Sequence, residues 1–258
     1  MAGMCEGMAG MCEPIPPVFI AGKAPPAPCN RGLACQTAGL NKIGEISVLD
    51  RLLTTTKAAL LINEAQIGIC HPDHAMFKAM PLEAQKRGTM GNIAELDRAF
   101  RAAKLPVFHL PCVHRKDFAD IKRNSLISAM SLKARGMSEG SPETAFMPGL
   151  EPEPEDHIST RSSGIFAFLG TDLDVRLRRL GVETIIATGV STNLGIPGIA
   201  FTAVDMGYNV VIPEDCIAGS DPEVHRVIVE EQLRLVATIT SKDEVLAALE
   251  KRHEAAAA

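Results

Sequence analysis

The sequence predicts an α/β protein whose mostly parallel sheet is covered by helices on both faces. Three observations carry that expectation. Short runs such as Ala58-Ala-Leu-Leu-Ile62 and Thr184-Ile-Ile-Ala187 are apolar without alternation, as strands buried on both sides are. Amphipathic helical stretches separate them, so strand and helix alternate and each crossover returns the chain to the same edge of the sheet. Finally, the turn Gly189-Val-Ser-Thr-Asn-Leu-Gly195 joins a strand to a helix through small residues, and open α/β sheets bind ligands at such strand ends.

Composition narrows the function classes. A chain of 258 residues with 46% hydrophobic content has room for one α/β domain and a tail. The net charge of −5, without a basic cluster, argues against nucleic acid or an anionic membrane as partner and for a small molecule. No run approaches the roughly 18–20 apolar residues of a membrane span, and the first residues lack a signal-peptide pattern, so a cytoplasmic protein is expected. The seven cysteines (Cys5, Cys12, Cys29, Cys35, Cys70, Cys112 and Cys216) form neither a disulfide framework nor a Cys-x-x-Cys pair, and free thiols are expected. Nothing calls for a metal or an organic cofactor.

Taken in order, residues 1–45 repeat Met-Ala-Gly-Met-Cys-Glu and continue through Pro14-Ile-Pro-Pro17 and Ala24-Pro-Pro-Ala-Pro28. Such a stretch buries little, so a disordered arm is expected before a single domain over 46–254. Ala58 to Gln66 reads as a strand with a polar carboxyl end, which brings Glu64 to the ligand-binding edge. Cys70-His71-Pro72-Asp73-His74 has metal-ligand residue types, but its Pro and irregular spacing favour a solvated loop. Asn92–Lys104 places Ile93, Leu96, Ala99, Phe100 and Ala103 on one helical face, and Pro106–Cys112 is the next strand, with His109 as a core histidine. Residues 113–156 are long and polar, either a cover over a site or a partly disordered connection, and their end, Glu151-Pro-Glu-Pro-Glu-Asp156, reads as a solvated loop.

His157–Thr160 is a short β-prone segment. Thr171–Leu180 is a helix with Thr171 as N-cap, Asp172 and Asp174 against its dipole, Leu173, Leu177 and Leu180 inward, and Gly181 as its stop. A helix from Leu194 to Met206, a strand at Asn209–Asp215, a helix at Pro222–Leu233, a strand at Val236–Thr240 and a helix from about Asp243 follow. Ala255–Ala258 is expected to fray.

Four segments together resemble a known family in order and spacing. They are Ile62-Asn-Glu-Ala-Gln66, Arg161-Ser-Ser-Gly-Ile-Phe-Ala-Phe-Leu-Gly-Thr-Asp-Leu173, Thr188-Gly-Val-Ser-Thr-Asn-Leu-Gly195 and Gly207-Tyr-Asn-Val-Val-Ile-Pro-Glu-Asp215. The family is the isochorismatase-like one, which includes cysteine hydrolases of the nicotinamidase and N-carbamoyl amidase type. The resemblance runs from about Lys57 to Thr240 and implies a three-layer αβα sandwich around a mostly parallel sheet, commonly a homo-oligomer, dimer or tetramer. Amidase-type members use an acid after the first strand, a lysine before the helix near Thr171, and a cysteine at the start of the helix after the turn. Here those positions carry Glu64, Ser162 with Arg161 beside it, and Gly195. The thiolate route is therefore closed at position 195. True isochorismatases resemble this chain in having glycine there, because enol-ether cleavage needs a proton donor and water but no protein nucleophile.

The resemblance thus implies acid/base hydrolysis of a small anionic or amide-bearing metabolite without a cysteine nucleophile. Glu64 would be the acid or base and Arg161 the anion anchor, while the backbone from Val190 to Gly195 would bind an oxygen in the space left by the missing thiol. Candidate substrate contacts are Val190, Ser191, Gly195, Cys112 and Phe168. The family often has a cis peptide at the Val190–Ser191 junction. A proton-donor role needs burial to keep Glu64 partly protonated, and a direct pair with Arg161 would oppose that shift. Three alternatives stay open: a structural Glu64–Arg161 salt bridge, a non-catalytic member that binds a metabolite or serves as an assembly subunit, and thiol chemistry restored by Cys112 at the same sheet edge.

Overall fold

The computed structural model describes residues 42–43 and 46–257, so nearly all of the expected arm lies outside the described residues. Strands β1 (Lys42–Ile43) and β2 (Ile46–Ser47) pair antiparallel, and Ser47 then caps α1 (Val48–Thr55), its Oγ accepting the Asp50 N–H at 3.0 Å. The main sheet is built from β3 (Ala58–Asn63), β4 (Val107–Leu110), β5 (His157–Ile158), β6 (Thr184–Val190), β7 (Asn209–Pro213), β8 (Ile217–Ala218) and β9 (Thr238–Thr240). Its order is β5-β4-β3-β6-β7-β9, with β8 alongside β6, and every pair is parallel.

Both faces of this sheet are covered, which explains the missing alternation in the sequence. Ala59 and Leu61 of β3 pack with α6 (Leu173–Arg179), α7 (Gly195–Asp205) and α8 (Pro222–Glu231). Ala58, Leu60 and Ile62 pack on the opposite side with α1, α4 (Thr89–Ala102) and α9 (Lys242–Ala257). Ile93, Leu96 and Phe100 of α4 are the buried stripe that the sequence spacing predicts. No helix among the described residues is long and apolar enough to cross a membrane.

The chain builds outward from β3 through β4 to β5, then returns to the other side of β3 for β6, β7 and β9. Strand order therefore reverses between β3 and β6, and a crevice for ligands opens at the carboxyl ends of such a pair. Glu64 follows β3 and the Gly189–Gly195 turn follows β6, so both fall at that point.

Several elements differ from the sequence reading. Helices α1 and α3 (Ala79–Lys86) were not expected, and α2 (Ile67–Cys70) precedes a turn over His71–His74. The long excursion contains α5 (Leu126–Ala134), whose Ser125 and Ser128 cap one another, and then a 3₁₀ turn at Pro142–Thr144. It returns along the segment after β3, where Met147 N–H donates to Ala65 O at 2.9 Å and Ile67 N–H to Ala145 O at 2.8 Å. Asp156 is not a solvated loop residue, because its side chain is buried against Arg101 and His109. The N-cap of α6 is Asp172 rather than Thr171, and α9 continues to Ala257 instead of fraying at Ala255.

Candidate active site

β3 ends at Asn63, and the chain turns through Glu64, whose φ of 53° lies in the left-handed region. That conformation costs a non-glycine residue about 1 kcal/mol, offset here by specific bonds. Glu64 N–H donates to Leu110 O at 3.2 Å, and Gln66 N–H to Glu64 O at 2.8 Å. Gln66 is fully buried and clamps the end of β4: its Oε1 accepts the Cys112 N–H at 2.8 Å, while Nε2 donates to Cys112 O at 3.2 Å and Thr144 O at 3.0 Å.

Arg161 arrives from the other direction. Its backbone bridges to that of Cys112, with Arg161 N–H on Pro111 O and Val113 N–H on Arg161 O, both at 2.9 Å. The side chain is 5% exposed and pairs through Nη2 with Glu64, itself 18% exposed, so the two candidate residues meet directly. Nε and Nη1 of Arg161 are buried without a hydrogen-bond partner among the described residues. Arg161 is therefore not a surface residue.

Cys112 completes the group. Its Sγ lies 3.9 Å from His114 Nε2, and His114 Nδ1 lies 2.7 Å from Ser162 O. A carbonyl only accepts, so Nδ1 carries the proton and Nε2 turns its lone pair towards the thiol. Burial pushes the Cys112 thiol up to about 11, with the Arg161 guanidinium working the other way.

Across the crevice, Gly189 has φ 102°, and a Cβ there would lie 2.1 Å from Asn63 O, so only glycine lets β6 end this close to β3. The Val190–Ser191 peptide is cis. Asn63 donates from Nδ2 to Val190 O, and its buried Oδ1 has no donor among the described residues. A Cβ on Gly195 would meet Asn63 Nδ2 at 2.5 Å and Val190 O at 2.9 Å. The space expected to be vacant at position 195 is thus filled by the Asn63 amide.

The turn's donors are also partly committed. Thr192 N–H bonds Ala218 O at 2.8 Å, and the N–H groups of Leu194 and Ile196 bond Ser191 O at 3.2 and 3.1 Å. Gly195 N–H takes no part in these bonds. Thr192 Oγ1 lies 2.9 Å from Nδ1 of buried His225, whose Nε2 faces Glu214 Oε1 at 3.5 Å. Thr192 is completely buried, and its hydroxyl–imidazole contact with His225 ties the turn to α8.

The remaining candidates are distributed unevenly. Ser191 is half-buried in the turn, Val190 is fully buried beneath it, and Phe168 packs in the core against Tyr208, ring centroids 6.3 Å apart. Surface cavities of about 300 and 260 Å³ lie against Ser47–Asp50 with Thr238–Thr240, and against Arg115–Asp117 with Glu139. Neither is lined by Glu64, Arg161 or Gly195.

Among the described residues, Asp97, His109 and Asp156 bring ligand-type atoms within 4.8 Å of one another. The cation among them is Arg101, with Nη2 2.5 Å from Asp156 Oδ2 and 3.1 Å from Asp97 Oδ2. His109 is a core histidine as expected, with Nε2 3.2 Å from Asp156.

Sequence reasoning missed Asn63, Gln66, His114 and His225. His114 had a usable signal, because residues two apart in an extended segment share a face, and His114 stands two after Cys112. The others act through partners far away in the chain.

Comparison with known proteins returns the same outline. A family model described as Isochorismatase domain matches residues 58–244. The isochorismatase family protein YecD of Escherichia coli O157:H7 is 28% identical over 198 residues, covering 76% of this chain and 98% of that protein. The ureidoacrylate amidohydrolase RutB of Rhizobium rhizogenes is 27% identical over 154 residues, covering 54% of this chain and 61% of its own. The crystal structure of an isochorismatase family protein from Desulfovibrio vulgaris superposes with a TM-score of 0.65 at 27% identity, over 75% of this chain and all of that one.

Proposed function

The chain belongs to the isochorismatase family, and from that premise we propose that it hydrolyses a small anionic metabolite using Glu64 and Arg161, with no thiol at the start of α7. The observation that carries this reading is Arg161. Nε and Nη1 of this buried guanidinium find no acceptor among the described residues, and a substrate carboxylate would satisfy those donors by charge-assisted hydrogen bonds. In its pair with Arg161, Glu64 is the acceptor, which suits a base taking a proton from attacking water better than a proton donor. Gly195 N–H at the positive end of α7 is the donor nearest to hand for oxygen charge developing on the substrate. The similar ureidoacrylate amidohydrolase is named for an amide of a small carboxylate, which makes amide- and carbamoyl-bearing carboxylates the first compounds to try.

Glu64→Gln tests the assignment. It should lower turnover at least ~100-fold, the usual contribution of a positioned general base, while leaving the thermal melt of the folded chain in place. Unchanged turnover would remove Glu64 from the chemistry.

One observation favours a second reading, that of a non-catalytic member binding a metabolite. Asn63 crowds the side-chain space at position 195, where a Cβ would lie 2.5 Å from its Nδ2. Such a protein would turn over none of a panel of enol ethers, carbamoyl amides and nicotinamide, yet a ligand would raise its melting temperature.

A further inference from the structure

We propose that Cys112 is a covalent-modification site for small anionic electrophiles, in which Arg161 holds the reagent's negative charge and His114 takes the thiol proton. The proposal rests in part on the reading of Arg161 as an anion anchor. Cys112 and His114 flank Val113 just beyond β4, and their side chains meet at 3.9 Å. The tautomer of His114 is set by Ser162 O at 2.7 Å, so the nitrogen facing Sγ is the one able to accept a proton. His114 is itself fixed at both backbone ends, its N–H on Met137 O at 2.7 Å and its carbonyl under the Glu139 N–H at 2.8 Å.

The second observation is independent of the thiol. Arg161, 5% exposed, lies against Cys112, and its Nε and Nη1 have no hydrogen-bond partner among the described residues. Such buried donors fit the carboxylate of a ligand whose reacting carbon reaches the sulfur.

The two other thiols among the described residues lack these neighbours. Cys70 Sγ lies 3.3 Å from Glu64 O, and burial together with the Glu64 charge pushes it up to about 12. Cys216 is completely buried in the core, and burial raises it as well. Among the described thiols, Cys112 combines a facing base with an adjacent cation.

The chemistry balances without an oxidant or cofactor. With iodoacetate, Cys112 Sγ attacks the methylene carbon, a C–S bond forms, the C–I bond breaks and iodide leaves. The S–H proton passes to His114 Nε2 and from there to solvent. The carboxylate of the product stays on Arg161.

The experiment treats the full chain with iodoacetate or iodoacetamide at matched concentration and follows each cysteine by peptide-resolved mass spectrometry. Cys5, Cys12, Cys29 and Cys35 are thereby read separately. The ratio of iodoacetate to iodoacetamide rates should be about tenfold higher at Cys112 than at Cys70 or Cys216, the equivalent of one charge-assisted contact. Arg161→Gln should bring that ratio down to the level of the other two. His114→Asn keeps a donor for Ser162 O but loses the base, so both rates at Cys112 should fall with the ratio unchanged. A ratio at Cys112 equal to that at Cys70 and Cys216, or a Cys112 slower than both towards both reagents, overturns the proposal. If the variants fail to fold, the ratio in the unsubstituted chain decides alone. Failure of the hydrolase reading shows instead as unchanged turnover in Glu64→Gln, which this alkylation pattern does not affect.

Discussion

At the scale of single residues, the missing side chain at position 195 shapes the centre of the site by letting Asn63 and Val190 O close upon it. Gly195→Ala should therefore cost about 1–3 kcal/mol, as overpacking does, when read by urea denaturation. Adding Asn63→Ala should return part of that loss, a coupling that a double-mutant cycle isolates. A Gly195→Ala chain as stable as its parent would mean that Asn63 does not hold that space. Glu64 and Arg161 were legible from their motifs, and their pairing stood among the open alternatives, but residues 97 apart in the chain needed coordinates to show that they meet. Asn63 sits beside Glu64 in the sequence, yet its task is set by Val190, 127 residues on.

Among the elements, α8 supports the turn from behind. Asp221 caps it by accepting the N–H groups of Glu223 and Val224, each at 2.9 Å, and His225 one turn later reaches Thr192. Asp221→Ala should lower stability by about 1 kcal/mol in urea denaturation, and an unchanged midpoint would show that the cap contributes nothing. Elements with a buried stripe, such as α4 and α6, could be read from spacing. Helix α5 could not, because none of its residues is buried and only the Ser125–Ser128 cap marks where it begins. The polar composition of residues 113–156 therefore left a cover over a site and a partly disordered connection both open, whereas the excursion folds back along the segment that carries Glu64.

For the whole molecule, the network of Asp97, Arg101, His109 and Asp156 fastens the end of that excursion to α4 and β4. Burial raises Asp97 from 3.8 to about 6, outweighing the pull of Arg101. A carboxyl raised in this way stabilises the fold fully below 3.8, and its contribution is lost as pH rises through about 6. Asp97→Asn should therefore gain stability relative to the parent across that interval, as thermal melts at a series of pH values would show. A difference independent of pH would contradict the assignment. The sequence by itself determined the layers, the parallel strands and the family, since apolar runs, helical spacing and short motifs are local properties that survive without coordinates. Only the tertiary structure decided that Glu64 meets Arg161 as an acceptor and that the Asn63 amide closes upon position 195. Those outcomes depend on separations of a few ångströms between residues far apart in the chain, and no local pattern of side chains encodes such distances.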